Sequence, residues 1–228
     1  MKLKEAIHNQ LKAIGERSGL YVSIFIALLV HVSGIIGIVY FQRDFFLGMT
    51  PVNLMLMFML LVWNEKILDR RWFFFFITAF SVGFFTEVVG VNTGWLFGDY
   101  AYYNFLGPKI MGVPLLIGIN WFCTVYGSMV TVTIFSRGRN IHPVLFASGS
   151  AFVATAFDWV MEPIAIKFGY WKWVNDHVPF YNYVCWFIIS FLIVLIFRGM
   201  QQQDRNRFAL PLLLIEFMFF LMLRVLLS

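Results

Sequence analysis

Asp158 and Glu162 stand four residues apart in the run DWVMEP, from Asp158 to Pro163. On a helix that spacing projects both side chains from one face, about a turn apart. Two carboxylates held so close in a low dielectric disfavour simultaneous ionisation, so the pair is expected to retain one proton near neutral pH. A carboxylic acid kept protonated is a proton donor. Pro163 follows directly and removes the helical partner of the Trp159 carbonyl, which adds an acceptor beside the acids. A third acid, Glu87, opens the stretch EVVGVNTGWLFGDYAYYNFLGPKIMGVPLLIGIN, which also carries Asn92, Trp95, Asp99, Tyr100, Lys109 and Asn120. A fourth, Glu216, lies in the last apolar run, two helical turns before Arg224.

Around these acids the chain places Trp95, Trp121, Trp159, Trp171, Trp173 and Trp186. A protonated acid among aromatic faces suits chemistry through a carbocation, because ring faces attract desolvated positive charge. The amides of Asn92, Asn120 and Asn182 could order a water for capture. A plainer reading stays open beside this one. The carboxylates could neutralise Lys109 or Lys167, Glu216 could pair with Arg224, and the rings could form an interfacial aromatic belt. The line Asn120, Thr124, Gly127/Ser128 and Thr131 would ordinarily make interhelical hydrogen bonds.

The elements that must hold these residues are membrane helices. Hydrophobic residues make up 61% of the 228 and charged residues 13%, and the mean hydropathy is +0.79. That is too little polar surface for a soluble globule. We expect an all-α polytopic membrane protein, one domain over residues 1–228, with spans near 20–41, 51–68, 72–91, 110–135, 143–166, 182–198 and 208–227. The first apolar run reads as a retained helix. Alternating the connections puts Lys2, Lys4, Lys12, Arg17, Lys66, Arg70, Arg71, Arg137, Arg139, Arg198, Arg205 and Arg207 on one side. Only Arg43, Lys109, Lys167, Lys172 and Arg224 fall on the other. The amino terminus is therefore expected in the cytoplasm and the carboxy terminus opposite. The connections 90–109 and 167–181 then share the non-cytoplasmic face, where the two polar clusters can meet. A short echo links them: Gly94-Trp95 follows Glu87 by seven positions, and Gly169-Tyr170 follows Glu162 by seven.

Several functions are disfavoured. His8, His31, His142 and His177 give no HxxxH or Glu-x-x-His pattern, and Cys123 and Cys185 sit inside apolar runs, so no metal is expected. No dinucleotide or phosphate-binding glycine motif and no DDxxD-type motif occurs. The net charge of +5 lies in short loops rather than in a patch, which argues against nucleic acid. The last run has no lysine for a retinal Schiff base.

The Glu87 stretch, extended to Trp121, together with FDWVMEPIAIKFGYWKW and NYVCWF, resembles the CruF-type carotenoid 1,2-hydratases, a membrane family of carotenoid biosynthesis that includes bisanhydrobacterioruberin hydratases. The resemblance covers the third to the sixth span. It implies addition of water to the terminal isopropylidene double bond of an acyclic carotenoid end, of lycopene or γ-carotene type, without a cofactor. Carotenoid, water and membrane lipid are then the expected partners, with other enzymes of the pathway beside them, in the inner membrane. Catalytic residues are expected among Asp158, Glu162, Glu87 and Asp99. Substrate and water contacts are expected from Asn92, Trp95, Tyr100, Lys109, Asn120, Trp121, Trp159, Trp171, Trp173 and Asn182. A proton-coupled transporter or a non-catalytic carotenoid-binding protein would also use intramembrane carboxylates.

Overall fold

The computed structural model describes residues 2–137, 139, 141–174, 176–197 and 206–227, with side chains from residue 15 onward except 16. Among them the chain is all-α apart from four very short strands. The order is α1 Lys2–Tyr40, α2 Arg43–Gly48, α3 Thr50–Trp63, α4 Arg70–Thr93, β1 Tyr100–Tyr102, a 3-10 turn Asn104–Leu106, β2 Lys109–Ile110 and β3 Val113–Pro114. Then come α5 Leu116–Phe135, α6 Pro143–Lys167, β4 Trp171–Trp173, α7 Phe180–Ile196 and α8 Ala209–Leu226.

Five of these segments are long and apolar enough to cross a membrane: Arg17–Tyr40 within α1, α4, α5, α6 and α8. Helices α3 and α7 are apolar but shorter, at 14 and 17 residues. Large apolar side chains such as Phe25, Phe73, Phe74 and Phe152 face outward, as they must where the surrounding solvent is hydrocarbon. The protein is a polytopic membrane protein.

Local sequence explains where helices start and stop. Asp69 caps α4 by accepting from the Trp72 amide at 2.8 Å, and Pro143 opens α6 behind His142. Gly94 ends α4 in the left-handed conformation at φ 66°. Two expected boundaries move. The second span stops at Trp63 rather than 68. The fourth starts at Leu116 rather than 110, because Gly107, Met111 and Gly112 all take positive φ and turn Lys109–Pro114 into a hairpin, β2 against β3.

The ends of the bundle separate as alternation requires. At one end Arg43 Nη2 donates to the Lys167 carbonyl at 2.6 Å, the Thr50 and Tyr170 hydroxyls lie 2.6 Å apart, and Lys167 Nζ donates to the Leu227 carbonyl. At the other end Asn64 Nδ2 donates to Ser23 Oγ at 2.8 Å and Asn206 Nδ2 to the Leu61 carbonyl at 2.8 Å. Arg198 and Arg205, two of the residues on which the expected orientation rests, lie outside the described residues.

At the first end the connections after α4 and α6 join. Strand β1 pairs antiparallel with β4, in register Tyr100 to Trp173, Ala101 to Lys172 and Tyr102 to Trp171. Along both strands the outer residues are buried and the middle one is exposed, the period-2 alternation of a sheet with one covered face.

Candidate functional site

Beneath this two-stranded cap lies a polar chamber of about 30 Å³, space for a water or two. Its walls carry Glu87 from α4, Asp158 and Glu162 from α6, Asn120 and Trp121 from α5, and Asn182 and Trp186 from α7, under Tyr100, Tyr102, Trp171 and Trp173 of the cap. All three carboxyl residues are at most 4% exposed.

Each acid is held differently. Three donors converge on Glu87: the hydroxyls of Tyr100 and Tyr102 on Oε2, the latter at 2.8 Å, and Trp121 Nε1 on Oε1 at 3.0 Å. Glu162 Oε1 accepts from the indoles of Trp171 at 2.7 Å and Trp173 at 2.5 Å. Asp158 Oδ2 accepts from Asn182 Nδ2 at 2.9 Å. Both oxygens of Glu87 are thus occupied, whereas Glu162 Oε2 and Asp158 Oδ1 have no hydrogen-bond partner among the described residues. The open acceptors belong to the i,i+4 pair. Burial raises the Tyr100 and Tyr102 hydroxyls well above the ordinary phenol range, with the charge of Glu87 adding to it. Both therefore remain donors at any physiological pH.

Two glycines make the packing possible. A Cβ at Gly83 would overlap the Trp121 side chain, so the glycine lets that indole lie against α4. A Cβ at Gly90 would come within 3.0 Å of the Tyr100 hydroxyl oxygen. Trp121 in turn stacks on Trp186, with ring centroids 3.7 Å apart and planes 4° apart. Phe97, also on the chamber wall, is buried at φ 66°, a conformation that costs a non-glycine residue about 1–2 kcal/mol.

The echo seen in the sequence has a structural counterpart. Gly94 and Gly169, each seven residues after an acid, both take positive φ at the end of the acid's helix. Each is followed by a strand whose two inward aromatic residues hydrogen-bond that same acid.

A second cavity, of about 220 Å³, adjoins the chamber and is lined mostly by apolar residues of α1, α2, α3, α5, α6 and α8. Ile117, Asn120, Met161 and Trp171 border both spaces. The Asn120 amide, at this boundary, has no hydrogen-bond partner among the described residues.

Of the residues expected from sequence, Glu87, Asp158, Glu162, Tyr100, Asn120, Trp121, Trp171, Trp173 and Asn182 meet in the chamber. Five do not. Asp99 is exposed in the loop. Asn92 is exposed and donates to the Val88 and Met111 carbonyls at 2.7 and 2.9 Å, which pins the hairpin to α4. Trp95 is 82% exposed. Lys109 Nζ donates to the Tyr102 carbonyl at 2.6 Å and so braces the cap from behind. Trp159 faces outward under the Arg224 guanidinium, 5.2 Å from the ring centroid. The ion-pair readings fail: among the described residues neither Lys109 nor Lys167 reaches an acid, and Arg224 lies over Trp159 rather than pairing with Glu216. Ser128 and Thr131 bond back to carbonyls of their own helix instead of crossing to another. Tyr102, one of the three donors to Glu87, is a site residue that the sequence did not single out. Its signal was the alternation Tyr-Ala-Tyr, matched by Trp-Lys-Trp at 171–173.

The fold and the site define a membrane-helix bundle that encloses an acid chamber beside an apolar cavity of about 220 Å³. The chain belongs to the carotenoid biosynthesis protein family, whose model matches residues 46–228, in agreement with the resemblance read from the motifs. It is 29% identical over 125 residues to the bisanhydrobacterioruberin hydratase of Haloarcula japonica, a match covering 53% of this chain and 42% of that relative. No solved structure matches it.

Proposed function

We propose that the protein is a carotenoid hydratase that adds water to the terminal isopropylidene double bond of an acyclic carotenoid end. The observation that carries this reading is the shared border of the two spaces. An apolar cavity suited to the end of a polyene touches, through Ile117, Asn120, Met161 and Trp171, a chamber with room for water and three carboxyl groups. The family and the named hydratase relative support it.

The reaction divides the chamber's residues into roles. The Asp158/Glu162 pair, with an open oxygen on each member, gives its proton to the less substituted alkene carbon. Positive charge then develops at the tertiary carbon, facing the indoles of Trp171 and Trp121 and the fixed carboxyl of Glu87. A water held by Asn120 and Asn182 adds to that carbon, and its surplus proton returns to the acid pair. One carbon gains hydrogen and the other hydroxyl, so the acid is restored and no redox cofactor enters. Entry of the polyene is from the lipid side and the site faces the non-cytoplasmic surface of the inner membrane.

The test is co-expression with a lycopene pathway and mass spectrometry of the pigments. Product heavier by one water is expected from the unsubstituted chain, and loss of it from Asp158→Asn and Glu162→Gln. Pigment that co-purifies unchanged, with both variants as effective as the parent, would make this a carotenoid-binding protein instead.

A further inference from the structure

The apolar cavity is not uniformly apolar. Glu216, from the middle of α8, lines it and has no hydrogen-bond or ionic partner among the described residues. Asn53, from the first turn of α3, lines it too, and its Oδ1 is buried without a partner. His31, from α1, completes the set. Its Nδ1 lies 2.8 Å from the Ala27 carbonyl, so Nδ1 carries the hydrogen and the neutral ring keeps Nε2 as its remaining acceptor. The ring is steadied edge-on against Phe219, with centroids 5.2 Å apart. None of the three belongs to the acid chamber.

Groups of this kind are expensive where they stand. An ionisable side chain in a membrane helix costs at least about 2.5 kcal/mol on insertion scales, and a buried unpaired acceptor about 1–3 kcal/mol. A cavity that had only to hold hydrocarbon would be better served by leucine at both positions. Three helices instead bring two acceptors and a carboxyl to one apolar space, with the unpaired Asn120 amide at its border with the chamber. The chemistry that completes such a set is a hydroxyl, which can donate to Asn53 or His31 and accept from a protonated Glu216.

We infer that Glu216, Asn53 and His31 form a second recognition site in the apolar cavity, which takes a hydroxyl group carried on the isoprenoid chain inward of the double bond presented to the chamber. The inference rests on the cavity being an isoprenoid site, as in the proposed function, and concerns specificity rather than chemistry. A site built to bond a hydroxyl holds the analogue that lacks it less tightly, because its own polar groups are then left unpaired, so a hydrocarbon end is a weaker substrate and not an excluded one.

The experiment compares binding, so that it does not depend on turnover. Purified protein is titrated with an acyclic isoprenoid hydrocarbon ending in an isopropylidene group, and with mono-alcohols of the same skeleton bearing the hydroxyl at successive carbons inward. At least one alcohol is expected to bind about tenfold or more tightly than the hydrocarbon, the ratio that about 1.4 kcal/mol provides. Glu216→Leu and Asn53→Leu should each bring that ratio towards one by weakening the alcohol alone. Equal binding of every alcohol and the hydrocarbon by the unsubstituted protein overturns the inference, whatever the variants do. A preference that survives both substitutions overturns it as well. Hydration failing while the preference holds would count against the proposed reaction and not against this site.

Discussion

Tyr100 and Trp173 face each other across the β1–β4 ladder, their ring centroids 4.9 Å apart, and each hydrogen-bonds a different carboxyl: Tyr100 holds Glu87 and Trp173 holds Glu162. The cap is therefore more than a cover. It fixes Glu87 of α4 and Glu162 of α6 relative to one another through two pairs of opposed residues, Tyr100 with Trp173 and Tyr102 with Trp171, so displacement of either strand moves both acids.

The first prediction concerns that coupling. Trp173→Phe keeps most of the ring but removes one of the two indole donors on Glu162. Stability should change little, by about 1 kcal/mol, whereas kcat for hydration should fall by about ten- to a hundredfold, because a carboxyl that swings away from its mark loses alignment. Turnover assays on protein with an unchanged thermal midpoint separate the two effects. An unchanged kcat would show that Trp171 alone suffices.

Replacing the acids themselves should be harsher. Asp158→Asn and Glu162→Gln are expected to reduce hydration by about 10²–10⁴, the range of a lost general acid. Glu87→Gln, which alters the fixed carboxyl opposite the acid pair rather than the proposed proton donor, should retain more activity than either. Rates in a carotenoid-producing host or in proteoliposomes would rank the three, and a Glu87 variant worse than both would reverse the assigned roles.

A structural prediction follows from Gly83. Gly83→Ala places a methyl where the Trp121 ring lies, and overpacking of this kind costs about 1–3 kcal/mol. The indole must shift away from Glu87 Oε1 and from its stack on Trp186. Near-ultraviolet circular dichroism should register the altered tryptophan pair even where the bundle stays folded.

Alkaline pH supplies a further test. Burial raises the Tyr170 hydroxyl to about 12, against the smaller opposing effects of its bond to Thr50 and of Arg43. A phenol raised in the folded state binds its proton longer than in the unfolded chain. The stability it lends is therefore complete below about pH 10, the ordinary phenol value, and declines as pH rises towards about 12. Thermal midpoints measured across that window should fall for the parent and fall less steeply for Tyr170→Phe.

Much of this was legible in the sequence for a simple reason: in a membrane, length and hydropathy nearly determine the helices, and alternation of the connections then brings the Glu87 and Asp158/Glu162 segments to one end. The acids, and their meeting, could be read because carboxyls within apolar helices are so costly that few positions carry them. What could not be read was side-chain direction in the loops. Trp95 and Tyr100 are five residues apart in the same connection, but Phe97 and Gly98, both at positive φ, redirect the chain between them, so Trp95 points outward and Tyr100 inward. Asp99 and Tyr100 are neighbours on a strand edge and so point opposite ways. Trp159 and Asp158 adjoin on a helix, where consecutive residues face about 100° apart. The large apolar cavity was also beyond the sequence, since its polar residues come from α1, α3 and α8 and have no common spacing.

The pairing of β1 with β4 also bears on how the protein comes into being. These strands lie some seventy residues apart along the chain, with two complete membrane helices, α5 and α6, made between them. A ribosome releases Tyr100 and Tyr102 well before Trp171 and Trp173 exist, and segments generally fold as they emerge. Glu87 can find its tyrosines early, but the acid pair of α6 has no indoles until the following connection has crossed to the same side. The chamber is thus among the last parts of the molecule to be completed, and a partly synthesised chain presents its acids without the roof that aligns them.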